Sequence, residues 1–405
     1  MEIPIVDDFG RSQFVGNQPI ETVWNSNFLK SARRMMIENR EVPVCTNCYQ
    51  IEDSGAKSLR QEYNDQYLDK NRHIVETAKN NEYTVNQFPS FLELRTGNAC
   101  NSACRMCNSN DSSLVYIENS QVLKMLKTDP FELSEDDHSQ TIVPDPNIII
   151  FGRSEERIDV VAPDIDKYLD EVMANINSID TITLSGGEPF LLERTADLLE
   201  LMSVENPNIK LNINTNGSIA SDKIINALSK LNDVHLCISI DGYGPVNEYI
   251  RYPLKWSKIE KNIGKFNTLC REGFYLSFNV TVQSFNAFDL LNIVKFVGES
   301  CPTAHLNLSP LSSPFYMSLQ SLPTDIKNII TEEHKKVGEF IINSNMFELF
   351  RDELIDSLKG INKFMNLVYT QDNLNFNMFK SNIKVYDKYR NQSIHEFIPE
   401  WSKYL

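Results

Sequence analysis

Residues 92–110 read LELRTGNACNSACRMCNSN, a short strand pattern that runs straight into a loop with cysteines at 100, 104 and 107. The Cys-x3-Cys-x2-Cys spacing puts three thiolates in one loop at the carboxyl end of that strand. Three thiolates can bind three irons of a cubane cluster. With no fourth cysteine close in sequence, one iron is left open to a non-protein ligand. A structural zinc site completed by a distant His or Cys meets the same spacing, because structural zinc takes four ligands. The triplet alone leaves both readings standing.

Downstream, short apolar runs alternate with amphipathic helices. Strand candidates are Phe91–Leu94, Thr181–Leu184, Leu211–Asn214, Val234–Ile240, Leu276–Val282 and His305–Leu308. Between them, helical spacing marks Ile165–Asn177, Ala196–Val204, Asp222–Leu231, Trp256–Glu272 and Phe288–Phe296. Strands and helices in this order make βαβ units and a parallel sheet, either an incomplete barrel or an open sheet. Polar motifs close successive strands: Ser185-Gly186-Gly187-Glu188-Pro189-Phe190, then Asn214-Thr215-Asn216-Gly217, then Ser239-Ile240-Asp241-Gly242 with Arg251 beyond it. The glycine pair allows close backbone approach to a ligand, and Glu188 can accept hydrogen bonds from an ammonium group. In parallel α/β barrels the carboxyl rim is where active sites are assembled.

Composition narrows the class. The 405 residues are 41% hydrophobic and 23% charged, as in an ordinary globular protein, with a formal net charge of −16. That acidic balance argues against nucleic-acid or anionic-membrane partners, which need clustered Lys and Arg. No apolar run approaches the ~18 residues of a transmembrane helix, and the start, MEIPIVDDFG, carries no secretory h-region. The expected location is cytoplasmic. Five of the 8 cysteines cluster at 45, 48, 100, 104 and 107, which in a reducing compartment reads as metal or redox chemistry. Cys237 reads as a small buried hydrophobe, and Cys270 and Cys301 have no metal role.

Three regions flank this pattern. Glu21–Glu38 has apolar residues at helical spacing and predicts one buried stripe; residues 65–88 read as a surface connection. Residues 108–160 are acidic and weakly periodic, an expected insertion or long loop. After Leu322-Pro323 a helix with Thr324 as N-cap is expected, followed by more helix to Trp401.

Residues 90–310 resemble a radical S-adenosylmethionine (radical SAM) core, on the CxxxCxxC loop, GGEP, NTNG and SIDG strings. The chain is most similar to twitch-domain members of the SPASM/twitch type. The supporting strings are SIDGYGPVNEYIRYPLKWSKIEKNI, the upstream WNSNFLKSARRMMIENREVPVCTNCYQIEDSGAKSLR and the tail motif Tyr386-Asp387-x2-Arg390-x2-Ser393. The resemblance implies a partial (β/α)6 TIM-type barrel at 86–320, with a helical twitch-like module at 1–85 before it and a helical extension at 321–405 after it. It also implies a [4Fe–4S] cluster on Cys100, Cys104 and Cys107, with S-adenosylmethionine on the open iron. Reductive cleavage would then yield a 5′-deoxyadenosyl radical that takes hydrogen from the substrate.

By the same resemblance Gly186, Gly187 and Glu188 hold the methionine amino group, and Ser239 and Arg251 its carboxylate. Asn214 and Asn216 become ribose or methionine contacts, and Met106 packs near the adenine. An electron donor such as flavodoxin or ferredoxin is implied, with a peptide or small polar metabolite as substrate. No residue is assigned as catalytic.

Plainer readings stand beside these. Arg251 could pair with Glu248 at the surface, Met106 could fill a loop, and a catalytically inactive scaffold could retain the fold. Two thiolates cannot complete four-ligand coordination, so Cys45 and Cys48 could be half of an auxiliary-cluster or metal site in a truncated module, a pair completed by cysteines from elsewhere, or a vestigial pair. Further upstream cysteines found in the family are missing, so the front module is expected to be shortened.

Overall fold

From the second strand candidate onward, branched apolar residues alternate with polar ones, which presents one apolar and one polar face. The computed structural model describes residues 18–128, 165–367 and 372–405. In chain order the elements begin with helices α1 (Ile20–Trp24), α2 (Asn27–Ile37), α3 (Thr46–Asp53) and α4 (Leu59–Asn80), strand β1 (Phe91–Arg95), and helices α5 (Ser113–Thr128) and α6 (Ile165–Ala174). Then come β2 (Thr181–Ser185), α7 (Glu193–Glu205), β3 (Lys210–Thr215), α8 (Asp222–Leu228), β4 (Asp233–Ser239), α9 (Pro245–Ile250), α10 (Trp256–Asn267) and β5 (Phe274–Val282). The last are α11 (Leu290–Ser300), β6 (His305–Pro310), α12 (Thr324–Asn343), α13 (Arg351–Met365), α14 (Asp372–Arg390) and α15 (Ile394–Phe397).

All six expected strands form. They lie in one open sheet in sequence order, β1 to β6, and the pairs from β2 to β6 are parallel. This is the six-stranded partial barrel expected from the sequence. Its apolar face is closed: Ile182, Leu184, Leu211, Ile213, Val234, Leu236, Ile238, Phe278, Val280 and Leu306 are all buried. The other face is polar in every row. Thr183, Asn212, His235 and Tyr275 are in register across four strands, as are Asn214, Cys237, Ser277 and His305, and above them Ser239, Asn279 and Asn307.

The chain divides into two compact units, Met1–Leu92 with Val161–Asp180 and Glu93–Val160 with Thr181–Leu405. In the first, Glu171 on α6 accepts from the Ile20 backbone N–H at 2.7 Å, so α6 belongs with the amino-terminal helices. The helix expected over 21–38 is broken: Asn25 pairs its amide with both backbone groups of Val85, and the Ser26 side chain starts a new helix at Asn27. No residue of α2 is buried, so the expected buried stripe is limited to Ile20 and Val23 on α1. Residues 65–80, expected as a connection, continue a 22-residue helix. It is nucleated by a Ser58–Gln61 capping box and carries Asp69–Arg72 and Glu76–Lys79 ion pairs, devices that need no apolar stripe.

In the second unit the expected 108–160 loop opens with a helix, α5; its remainder, 129–160, lies outside the described residues. Val122 of α5 packs with Val385 and Tyr386 of α14, which joins two segments that lie far apart in the chain. Helix α12 begins at Thr324 itself with Pro323 in the cap position, so Thr324 is not its N-cap. No helix of the described residues is long and apolar enough to cross a membrane.

Leu236 is fully buried at the centre of the sheet. Leu236→Ala is expected to cost about 2–5 kcal/mol, read as an earlier urea transition.

Candidate functional site

The cysteine loop lies at the carboxyl rim, held by its backbone against the turn that follows β2. Thr96 N–H donates to the Ser185 carbonyl (3.1 Å), Gly187 N–H to the Gly97 carbonyl (2.9 Å) and Glu188 N–H to the Ala99 carbonyl (2.9 Å). This contact is why the turn carries two glycines. Gly186 has φ +118°, and a Cβ there would lie 2.6 Å from the Gly97 carbonyl oxygen; one on Gly187 would lie 2.2 Å from that of Ala99. Close approach is needed, as the sequence suggested, but the partner seen is the cysteine loop itself.

Glu188 is buried. Its carboxylate accepts from Phe190 N–H (3.1 Å), Thr215 Oγ1 (2.7 Å) and Asn216 N–H (2.7 Å), bracing the end of β2 to the end of β3. Burial raises its pKa, and these three donors oppose the rise. Asn216 in turn donates to Asn101 Oδ1 (2.9 Å), while the Asn101 amide donates to Ser218 (2.9 Å), so the NTNG turn is stitched to the cysteine loop. Asn214 and Ser239 lie lower on the polar face, exposed and half-buried respectively, and Met106 is half-buried within the loop.

Arg251 is not a surface residue. It forms an ion pair with Asp241 at 2.7 Å, and its Nη1 lies 3.9 Å from Cys104 Sγ; Glu248, the alternative partner, pairs with Lys255 instead. Asp241 is wholly buried and also accepts from Thr281 N–H at 2.8 Å. Burial works to strip the proton from Arg251, but Asp241 and then Cys104 more than offset it, so the guanidinium stays charged. A positive group thus stands beside the most buried thiol of the triplet.

The donor set fits a thiolate-bound cluster. All three cysteines are free, and Cys104 and Cys107 line one small pocket. Among the described residues no three His, Cys, Asp or Glu side chains converge tightly enough for one metal ion. Cys45 and Cys48 lie in the other unit, just before α3 and on its first turn.

The family model for the radical SAM superfamily matches residues 94–297, half of the 405-residue chain. The chain belongs to the radical SAM superfamily. Membership implies an enzyme, with S-adenosylmethionine and a [4Fe–4S] cluster as the cofactors of the family. Solved structures similar to the chain match it at low identity. Native anSMEcpe with bound AdoMet and Cp18Cys peptide is 19% identical over 63% of this chain and 61% of that one, with a TM-score of 0.37. Streptococcus suis SuiB bound to S-adenosylmethionine is 15% identical over 81% and 63%, with a TM-score of 0.39, and SuiB bound to its precursor peptide SuiA is 16% identical over 78% and 62%, with a TM-score of 0.36. The chain spans less than two thirds of the length of each of these three structures. No curated protein sequence matches it.

Four residues of this radical SAM protein that reach the cysteine loop went unassigned from sequence: Arg105 and Glu118, and Asp387 and Arg390 on α14. Arg105 Nη2 meets Asp387 at 2.6 Å, and Arg390 meets Glu118 at 2.6 Å; both guanidinium groups are buried. The tail string containing Asp387 and Arg390 was visible as a motif, but nothing in it named a partner some 280 positions earlier.

Two outcomes test this geometry. Gly187→Ala must push the loop off the turn, so Cys100 should react faster with maleimide while the far-UV circular dichroism is unchanged. Arg251→Gln leaves Asp241 buried without its cation, at a cost of about 3–5 kcal/mol. Asp241 already has a raised pKa, chiefly from burial, so in the variant the folded state binds its proton more tightly than the unfolded chain does. The loss should therefore be small near pH 4 and grow as the pH rises to 8, read from urea unfolding at each pH.

Proposed function

We propose that the protein is a catalytically competent radical SAM enzyme in which Cys100, Cys104 and Cys107 hold the [4Fe–4S] cluster. The observation that carries this is the juxtaposition at the rim: three free thiols on one buried loop, with the Arg251 guanidinium 3.9 Å from Cys104 Sγ. When bound, such a cluster supplies one electron for cleaving S-adenosylmethionine to methionine and a 5′-deoxyadenosyl radical, which takes a hydrogen atom from the substrate.

The chain's own residues orient and shield. Gly186 and Gly187 hold the loop against the β2 turn, and Glu188 and Asn216 lock the neighbouring strand end to it. Arg251 offers a planar, charged fork suited to a carboxylate, and Ser239 and Asn214 supply hydrogen-bonding groups on the same side of the sheet. Their assignment to the methionine and ribose parts of the cosubstrate, with Met106 near the adenine, rests on the resemblance of their motifs. An electron donor of the flavodoxin or ferredoxin class belongs to this reading.

The polar face below the rim supports a polar substrate, a peptide or small polar metabolite. Asn212 donates to Thr183 (3.3 Å), Asn307 to Asn279 (3.0 Å), and His235 pairs with Ser277 (2.8 Å), while Tyr275 is 59% exposed. An apolar substrate would strip water from these polar groups and offer no hydrogen bond in its place. Burial, then His305 and Lys210, lowers the His235 pKa, which leaves a neutral imidazole on this face near neutral pH.

Anaerobic reconstitution with iron and sulfide tests the proposal. The expected result is about four irons per chain, with dithionite-dependent release of 5′-deoxyadenosine from S-adenosylmethionine. Cys104→Ala should lose both. Iron-free protein after reconstitution, or undiminished 5′-deoxyadenosine release by the variant, overturns it.

A further inference from the structure

We infer that Asp387 and Arg390, on helix α14 of the tail, are positioning residues for the cysteine loop: they fix the segment carrying Cys104 and Cys107. The inference deepens the proposed function, since it assigns a role to the tail at that same loop.

Ser102, Ala103, Cys104 and Arg105 are all buried, so each backbone group there needs a protein partner. One side is supplied by the segment at the end of α9: Ala103 N–H donates to the Tyr252 carbonyl (2.6 Å) and Arg105 N–H to that of Ile250 (2.9 Å). The other side is supplied by the tail. Arg390 Nη2 donates to the Ala103 carbonyl at 2.7 Å while the same guanidinium grips Glu118 of α5 through two bonds of 2.7 and 2.6 Å. Asp387 accepts from Arg105 (2.6 Å), from the Tyr249 hydroxyl (2.7 Å) and, through its second oxygen, from Ile394 N–H (2.8 Å).

Both guanidinium groups stack on aromatic rings of the α9 side. Arg105 lies 3.7 Å from the Tyr249 ring centroid and Arg390 4.7 Å from that of Tyr252. The loop is therefore clamped between residues 249–252 and 387–390 by two cations and two carboxylates that balance in charge. Removing any one member strands a buried charge, and the loop is what the clamp holds.

The clamp also faces the thiols. Cys104 and Cys107 line the same cavity as Arg105, Arg390, Asn119 and Asn382. Among the described residues, Arg105 Nη1, Arg390 Nη1, Asn119 Nδ2 and Asn382 Oδ1 of this lining are buried without a hydrogen-bond partner. Three of these four atoms are donors, the kind of group that raises a cluster's reduction potential when it faces the sulfurs.

The test begins with cluster-free protein and so does not depend on iron. N-ethylmaleimide labelling is followed per cysteine by mass spectrometry in wild type, Arg390→Gln, Asp387→Asn and Arg390→Lys. Cys237 and Cys301, buried elsewhere in the same unit, report on global opening. Cys104 and Cys107 should label at least tenfold faster in Arg390→Gln and Asp387→Asn, with Cys237 and Cys301 unchanged. Arg390→Lys should fall between, because an ammonium cannot grip Glu118 and the Ala103 carbonyl in one plane. In reconstituted protein, the cluster of Arg390→Gln should show a lower reduction potential and an altered electron paramagnetic resonance spectrum. Unchanged labelling of Cys104 overturns the inference, as does acceleration of Cys237 and Cys301 in step with it. If the wild type takes up no iron while the labelling result holds, the clamp stands and the cluster assignment falls.

Discussion

A buried backbone group must be paired, and residues 96–107 find partners in the adjacent start of α5 and in three distant parts of the chain. The turn after β2 takes the amino-terminal part, through Ser185, Gly187 and Glu188. The start of α5 takes the next part: Ser113 N–H donates to the Asn98 carbonyl, and Ser112 Oγ to that of Ser102. Tyr252 and Ile250 take the N–H groups of Ala103 and Arg105, and Arg390 takes the Ala103 carbonyl. An unpaired buried amide or carbonyl costs about 1–3 kcal/mol, so these bonds hold the loop in its place. The glycines at 186 and 187, the helical start of α5 and the ordered tail all follow from that constraint.

Charge is arranged to serve the same loop. The protein carries an excess of carboxylates, yet three arginines, Arg105, Arg251 and Arg390, are buried around the cysteine triplet, each beside its own carboxylate. Pairs of this kind add little net stability compared with apolar packing. What they provide is a fixed position for charge close to three thiols, and that suits a site where electron transfer is expected. Glu188 differs: it meets no guanidinium at bonding distance and is satisfied by two backbone N–H groups and a hydroxyl.

The sheet divides its two faces between different tasks. Its apolar face makes the core, while its polar face offers a row of Asn, Ser, Thr, His and Tyr side chains leading up to the rim. In a filled α/β barrel the interior is layered with branched apolar side chains. Here the inner positions hold hydrogen-bonding groups instead, which trades packing energy for a surface that a polar molecule can occupy.

By itself the sequence determined the six strands, their order, the cysteine loop and the motifs at the strand ends, because each is written in local periodicity or spacing. It also carried the alternation that makes one sheet face polar. It misled where helices lacked an apolar stripe: α4 and α5 are held by capping, ion pairs and a single face docked on the tail, none of which a hydrophobic period reveals. The partners of Arg251, Glu188, Arg105 and Arg390 were decided only by tertiary structure. Burial, not spacing, chooses between a surface pair such as Arg251–Glu248 and the Arg251–Asp241 pair seen here. A charge taken out of water must find its counter-charge wherever the fold brings one, however far away that lies in the chain.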